Sequence, residues 1–117
     1  MEENTVLCGS SAYEKKYYLN ENFESLPEQV KQELQIMCVL YTEDVGGILT
    51  LEYDEDGDLH FRVQADEGDL LFDEIGSELK IKQLRTRHGE LLKGLETYYK
   101  VVFLGEVPED DGEGEEA

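Results

Sequence analysis

Five carboxylates that could do chemistry lie within nine residues of this chain: Asp66, Glu67, Asp69, Asp73 and Glu74. Hard cations such as Mg²⁺ prefer carboxylate oxygens, and a fixed group of carboxylates also suits a basic protein surface. The same residues have an ordinary structural use, because acidic residues at the start of a helix cap its free amides and complement its dipole. The sequence favours the capping role and keeps a cation site and a protein-binding site as hypotheses.

A second candidate group lies on a predicted β-hairpin, where we expect His60 opposite Glu52, with Arg62 next along. A His–carboxylate pair can act as a general base or form one corner of a metal site. However, His88 is the only other imidazole, and no cysteine has zinc-like spacing to either histidine. We therefore expect cross-strand charge pairs on a solvated face, with no catalytic residue, no metal site and no cofactor.

The turn of this hairpin partly matches a calcium-binding loop. Glu52, Asp54, Asp56 and Gly57 fall at positions 1, 3, 5 and 6 of the pattern, but position 12 is Val63 where a bidentate Glu is required. The residues after Gly57 also alternate as in a strand. We interpret the segment as an Asp-Gly turn.

Three tyrosines near the start of the chain are candidate binding residues, because tyrosine is a frequent anchor at protein interfaces. They are Tyr13, Tyr17 and Tyr18. Tyr13 and Tyr17 are four residues apart and would share one face of a helix. The same residues are equally compatible with an extended segment, and the sequence leaves both alternatives open.

The excess of acidic residues limits the class of partner. The chain carries 29 Asp and Glu against 10 Lys and Arg, for a net charge of −19. Seven of these acids lie in residues 106–117, so the remaining chain still has a net charge of −12. Such a surface repels phosphate backbones and anionic lipids, so we expect no direct nucleic-acid or membrane binding. A basic protein partner, including one that normally binds nucleic acid, fits the charge.

The first predicted helix begins at a capping box formed by Ser25 and Glu28, with Pro27 in the first turn. We expect it to run to about Glu43 and to end at Gly46-Gly47. Residues 36–41 are apolar throughout, which indicates either burial on several sides or a strand in their place. The core-facing stripe of this helix comprises Val30, Leu34, Met37, Cys38, Tyr41 and Val45.

Residues 48–64 have the alternation of a β-hairpin, and its register follows from the turn. A three-residue loop, Glu55-Asp56-Gly57, places glycine at the left-handed position and keeps the apolar residues on one face. A two-residue loop would split them between the two faces. The predicted register pairs Leu49 with Val63, Leu51 with Phe61 and Tyr53 with Leu59.

A second helix is predicted to begin near Asp69 as N-cap and to run to about Leu84 through Phe72, Ile75 and Leu79. A third apolar stripe occupies residues 91–104. Whether the two are one helix or break near His88-Gly89 stays open. The aromatic residues of the third stripe, Tyr98, Tyr99 and Phe103, are expected in the core.

These elements predict an α+β fold with an N-terminal helix, an antiparallel β-hairpin that an additional strand could extend into a small sheet, and one or two C-terminal helices on one sheet face. We expect a single domain over residues 1–105 and a disordered acidic tail over 106–117. A two-stranded sheet is marginal alone, so a third strand or a second protomer would complete it, which leaves a homodimer open. Cys8 and Cys38 lack metal spacing, and no apolar run reaches the length of a signal peptide or a membrane span. We therefore expect a cytoplasmic protein with reduced thiols.

Five stretches of the chain together carry a resemblance to known sequences: Val6-Leu7-Cys8-Gly9, Lys16-Tyr17-Tyr18-Leu19-Asn20, Leu40-Tyr41-Thr42-Glu43-Asp44-Val45-Gly46-Gly47, Asp73-Glu74-Ile75-Gly76 and Leu95-Glu96-Thr97-Tyr98-Tyr99. Over most of residues 6–105 the chain resembles a small family of short bacterial proteins of unknown function. This resemblance implies a bacterial cytosolic setting and brings no activity, ligand or catalytic residue.

Three functional hypotheses follow. The first is a non-enzymatic interaction module that binds a basic partner through its acidic surface, with the three tyrosines as anchors. The second is a mimic of nucleic-acid charge that inhibits a DNA- or RNA-binding protein. The third is a small metal-dependent enzyme that uses the carboxylates of residues 66–74 together with His60.

Overall fold

Three α-helices lie on one face of a four-stranded antiparallel sheet in the computed structural model, which describes residues 4–106. This arrangement confirms the predicted α+β class. The strand order in the sheet is β2-β1-β3-β4. The strands are β1 (Thr5–Ser11), β2 (Lys16–Leu19), β3 (Ile48–Tyr53) and β4 (Leu59–Gln64), and the helices are α1 (Glu28–Val45), α2 (Glu74–Arg87) and α3 (Gly89–Val102), with a short 3₁₀ helix at Glu21–Phe23.

The predicted acidic tail falls almost wholly on residues 107–117, which lie outside the described part of the chain. Within the described part, no helix is both long and apolar enough to cross a lipid bilayer.

The β3–β4 hairpin has the predicted register. Leu49 lies opposite Val63, Leu51 opposite Phe61 and Tyr53 opposite Leu59. The turn is closed by two backbone hydrogen bonds, from the Asp54 amide to the Asp58 carbonyl at 2.9 Å and from the Gly57 amide to the Asp54 carbonyl at 3.0 Å. Gly57 has a φ of +89°, the left-handed conformation that the three-residue loop requires.

A second hairpin, β1–β2, extends the sheet on its other side. Residues 16–19 are extended, so the alternative in which Tyr13 and Tyr17 share one helix face is wrong. β1 pairs with both β2 and β3, and its register shifts between Val6 and Cys8. This bulge brings Leu7 and Cys8, which are adjacent in sequence, both into the core.

The start of α1 differs from the prediction. Pro27 occupies the N-cap position, and no side chain caps the helix, so the Ser25–Glu28 capping box is wrong. Ser25 precedes the cap by two residues, and its hydroxyl lies 3.4 Å from that of Tyr98 instead. The C-terminus at Val45 and Gly46 agrees with the prediction, as does the stripe, of which Val30 is partly buried and the other residues are buried.

Residues 36–41 remain helical, and two of them face solvent. Ile36 is 58 % exposed and Leu40 is 51 % exposed, so the expectation that this run is buried on several sides or forms a strand is wrong.

Helix α2 begins four residues later than predicted. Asp73 is its N-cap, because its carboxylate accepts a hydrogen bond from the Gly76 amide at 2.8 Å. Asp69 belongs to the preceding turn, where its carboxylate accepts from the Leu71 amide at 2.9 Å. The chain leaves α2 and enters α3 at His88, so the C-terminal region forms two helices.

A stack of aromatic rings joins the sheet to α3 and the 3₁₀ helix. The rings of Tyr53 and Tyr99 lie 4.0 Å apart and are tilted by only 9°, while Phe23 and Phe103 pack around them. The Tyr53 hydroxyl donates to the Leu95 carbonyl at 2.9 Å, which satisfies its buried polar atom. The structure therefore confirms the predicted core position of Tyr99 and, as a partly buried residue, of Tyr98. Phe103 follows α3 and stacks on Tyr99 but is 40 % exposed, so its predicted burial is wrong.

Gly46 and Gly47, which we call the glycine corner, turn the chain sharply from α1 into β3. Both have positive φ values, +85° and +73°. A Cβ atom on Gly47 would lie 2.7 Å from the Gln64 carbonyl oxygen and 2.9 Å from the Phe72 ring. The corner therefore requires glycine both for its backbone conformation and for the close approach of two other segments.

We predict that Gly47→Ala lowers the free energy of unfolding by about 2–4 kcal/mol, since a left-handed alanine and a steric overlap both oppose the fold. Gly68→Ala is the matched control, because Gly68 also has a positive φ, +86°, but a Cβ atom on it would meet no other segment within 4 Å. The control should lose only about 1–2 kcal/mol in urea unfolding followed by circular dichroism. Equal losses in the two variants would contradict the close approach at Gly47.

Candidate docking surface

Residues 66–79, here called the acidic segment, connect β4 to α2 and include the first turns of that helix. The segment contains six Asp or Glu and no Lys or Arg. It begins just after β4 and passes beside the glycine corner, where the Asp73 amide donates to the Val45 carbonyl at 3.3 Å. The Phe72 ring lies against Gly47, as the contact distances at that glycine show. These two contacts hold the middle of the segment against the sheet and α1.

Tyr13 holds the beginning of the acidic segment from the β1–β2 turn. Its hydroxyl donates to an Asp69 carboxylate oxygen at 2.5 Å and accepts a hydrogen bond from the Asp66 amide at 2.8 Å. The Asp69 amide in turn donates to the Asp66 carbonyl at 3.0 Å, which closes the loop on itself. The structure thus brings one predicted binding residue, Tyr13, together with the predicted carboxylates.

Four aliphatic side chains project into solvent from the same segment. Leu70 is 92 % exposed, Leu71 91 %, Ile75 76 % and Leu79 58 %. Ile75 and Leu79 are four residues apart and therefore lie on one face of α2. Periodicity in the sequence selected Ile75 and Leu79 correctly as helical apolar positions, but it gave no sign that their face lies open to solvent.

The other two predicted tyrosines lie elsewhere and on opposite faces of β2. Tyr18 is 55 % exposed on the face of the sheet that carries no helix. Tyr17 lines a cleft of about 490 Å³ between the β1–β2 turn and α1. Its hydroxyl is buried near the Cys8 thiol and makes no hydrogen bond of ordinary geometry within residues 4–106, and this burial raises the pKa of Tyr17. The three tyrosines therefore do not form one anchor surface.

The thiols of Cys8 and Cys38 are both buried and lie 3.9 Å apart between β1 and α1. The contact with the Cys8 thiol, together with burial, raises the pKa of Cys38. Burial of both thiols, and the raised pKa of Cys38, favour a packing role over nucleophilic chemistry.

Charged pairs form on the outer face of the β3–β4 hairpin, but His60 has a different partner from the predicted one. His60 lies opposite Glu52 in the register, yet its Nε2 contacts the Asp54 carboxylate at 2.7 Å, and this hydrogen bond lowers the pKa of Asp54. Glu52 pairs with Arg62 at 3.2 Å. His60 is therefore engaged at the hairpin turn rather than with the carboxylates of residues 66–74.

Carboxylates that lie close enough to share a cation occur at this turn. Oxygen atoms of Asp54, Asp56 and Asp58 fall within 4.8 Å of one another, whereas no three carboxylates of the acidic segment do so among the described residues. Two of these carboxylates already have partners within the protein. Asp54 accepts hydrogen bonds from the amides of Asp56 and Asp58, and Asp58 forms an ion pair with Lys100 at 3.1 Å.

The profile of a family of unknown function, DUF6145, matches residues 4–107. The chain belongs to DUF6145. No curated protein and no solved structure matches the chain. Membership agrees with the resemblance to an uncharacterised family, and the function of this DUF6145 protein has to be argued from its own geometry.

The contact between Tyr13 and Asp69 makes a prediction about acid titration. Hydrogen bonds from the Tyr13 hydroxyl and the Leu71 amide lower the pKa of Asp69. Because its folded pKa lies below its unfolded pKa, Asp69 stabilises the folded segment at pH values above the unfolded pKa, and this contribution is lost as pH falls through the folded pKa.

We predict that Tyr13→Phe raises the pKa of Asp69 towards its ordinary value, since the donor hydroxyl is removed. A ¹³C NMR titration of the carboxyl groups measures this directly, with Tyr18→Phe as control because Tyr18 lies on the exposed face of β2. An unchanged Asp69 pKa in Tyr13→Phe would show that Tyr13 does not hold the segment.

Proposed function

We propose that this DUF6145 protein is a non-enzymatic interaction module, and that its acidic segment binds a basic surface on a partner protein. The proposal rests on the observation that none of the six carboxylates in the segment forms an ion pair within residues 4–106. Acidic residues elsewhere in the same region do pair with lysine or arginine. Unpaired acidic groups on a fixed segment are available to a basic partner.

Several lysines of the chain form ion pairs with acidic residues outside the acidic segment. Lys31 pairs with Glu24 and Glu28, and Lys80 pairs with Asp44. None of these ion pairs involves a carboxylate of the acidic segment. A concentrated negative potential speeds association with a basic partner and gives it specificity, more than it adds raw affinity.

The anchors of the segment support binding through preorganisation. Tyr13 holds the beginning of the acidic segment, Phe72 holds its middle, and Asp73 caps α2. A loop that is already ordered loses less conformational entropy when a partner binds, so more of the interaction energy appears as affinity. Capping and binding are therefore compatible roles for the carboxylates, because capping uses Asp73 and leaves the exposed acids free to bind.

The two other hypotheses receive different support. Nucleic-acid mimicry is a narrower form of the same proposal, in which the partner's basic surface is its DNA- or RNA-binding site. The metal-dependent enzyme hypothesis required His60 together with carboxylates of residues 66–74, and the contact of His60 with Asp54 gives it no support.

The proposal predicts that neutralising the exposed acids of the segment weakens partner binding. The test is affinity capture from a lysate of the source organism at low salt, with elution by a salt gradient and identification by mass spectrometry. We expect retention of the specific partner to fall about tenfold or more, because four surface charge contacts at ~0.2–1 kcal/mol each are removed. The variant combines Asp66→Asn, Glu67→Gln, Glu74→Gln and Glu78→Gln.

A control variant with the same change in net charge separates the segment from the charge of the whole chain. It replaces four exposed glutamates that form no ion pair in the described region and lie outside the segment. The control should retain the partner nearly as well as the natural chain. Equal loss in both variants, or no reproducible partner, would contradict the proposal. The control combines Glu14→Gln, Glu33→Gln, Glu43→Gln and Glu90→Gln.

A further inference from the structure

The exposed aliphatic residues of the acidic segment indicate what kind of basic partner binds to it. We infer that the partner presents a basic amphipathic helix, whose apolar face packs on Leu70, Leu71, Ile75 and Leu79 and whose basic residues meet the surrounding carboxylates. This inference rests on the proposed function and specifies the binding element of the partner.

Ile75 and Leu79 are exposed on α2, and Leu70 and Leu71 are exposed in the turn that precedes this helix. A surface helix normally buries one apolar stripe and presents polar residues on the opposite side. α2 buries Ser77 and Leu84 towards the rest of the fold, and the Ser77 hydroxyl is hydrogen-bonded to that of Tyr41. Ile75 and Leu79 lie away from this buried side and face solvent. α1 also exposes an aliphatic pair, but on α2 the exposed pair follows two further exposed leucines, so a larger apolar surface is available to a partner.

The charge around the four aliphatic residues indicates which kind of partner binds to them. The carboxylates of Asp66, Glu67, Glu74 and Glu78 flank the four side chains in sequence, and no base lies within the segment. A second copy of this chain would bring a net charge of −19 against another −19, and the same acidic segment would face itself in a two-fold dimer. An apolar partner without basic residues would leave the carboxylates unpaired at the rim. A basic amphipathic segment would cover the aliphatic side chains and pair with the carboxylates around them.

A helix suits this surface better than an extended strand. Ile75 and Leu79 are one helical turn apart, so residues of a partner helix at i, i+3 and i+4 can contact them and the leucines that precede α2. Strand addition would require a free sheet edge, and β4 and β2, not α2, form the edges of this sheet. The apolar contacts would supply affinity, and the rim charges would orient the partner helix.

The chain offers a matched control surface on α1. Ile36 and Leu40 are also an isoleucine and a leucine four residues apart, and they are 58 % and 51 % exposed. No further exposed leucines adjoin them in sequence, and Asp44 at the next turn is paired with Lys80. A pair of identical residue types can therefore be changed on either helix, at positions where the fold does not depend on their packing.

The experiment measures the affinity of the full chain for a synthetic Leu/Lys peptide of about 16 residues, just over four helical turns. One peptide places leucine at i, i+3 and i+4 spacing, and a second has the same composition with the leucines scattered. Binding is followed by calorimetry and by the helix signal of the peptide in circular dichroism, at several salt concentrations. The variants are Ile75→Ser/Leu79→Ser and, as control, Ile36→Ser/Leu40→Ser.

We expect the amphipathic peptide to become helical on binding and to bind at least about tenfold tighter than the scattered peptide, since only one of them presents an apolar face. Ile75→Ser/Leu79→Ser should reduce that affinity about tenfold or more, and the control variant should change it less than about twofold. Urea unfolding of both variants verifies that they retain the fold.

Several outcomes would overturn the inference. Equal, salt-sensitive binding of both peptides would leave the proposed function in place and remove the amphipathic helix. Binding of neither peptide would contradict both proposals. If Ile36→Ser/Leu40→Ser loses as much affinity for the peptide as Ile75→Ser/Leu79→Ser, or more, the binding surface lies on α1. If the natural chain sediments as a dimer and Ile75→Ser/Leu79→Ser dissociates that dimer, a second copy of the chain is the occupant.

Discussion

The glycine corner, Gly46 and Gly47, joins several parts of the fold, because the chain leaves α1 and enters β3 there and other segments contact it at this point. The Gly47 carbonyl accepts from the Ala12 amide at 2.9 Å, the Val45 carbonyl accepts from Asp73, and the Phe72 ring covers Gly47. One tight turn therefore fixes the β1–β2 hairpin and the acidic segment at once. Without it, neither Tyr13 nor α2 would be positioned to present the aliphatic residues.

The chain keeps its fold while carrying a large negative charge because its stability comes from apolar and aromatic packing. The stacked rings of Phe23, Tyr53 and Tyr99 and the fully buried leucines of β3 form the core, whereas the unpaired carboxylates lie at the surface. Surface ion pairs contribute little to stability, about 0–1 kcal/mol each. The distribution of charge is therefore free to serve binding, and the six carboxylates of the acidic segment, which form no ion pair within residues 4–106, are consistent with that use.

The sequence predicted those parts of the fold that local patterns determine. The register of β3 and β4 followed from period-two alternation and from Gly57, and the end of α1 followed from Gly46. The β1–β2 hairpin was not predictable in the same way, because a bulge at Leu7 interrupts its alternation. The carboxylates of the site were visible from their density, whereas the contact of Tyr13 with Asp69 spans 56 residues. Periodicity also marks an apolar face without showing whether the chain itself or another protein covers it, and this is why the exposure of Ile75 emerged only in the structure.

Hydrogen–deuterium exchange of the full chain, with and without the amphipathic basic peptide, tests directly whether residues 66–79 are the docking surface. We predict slower exchange confined to residues 70–79 when the peptide is bound, with little change in the buried core of α1 and α3. Slower exchange at α1 or at the outer face of the sheet, with residues 70–79 unchanged, would contradict it. Protection spread evenly over all acidic regions would show that charge alone, rather than this surface, recognises the peptide.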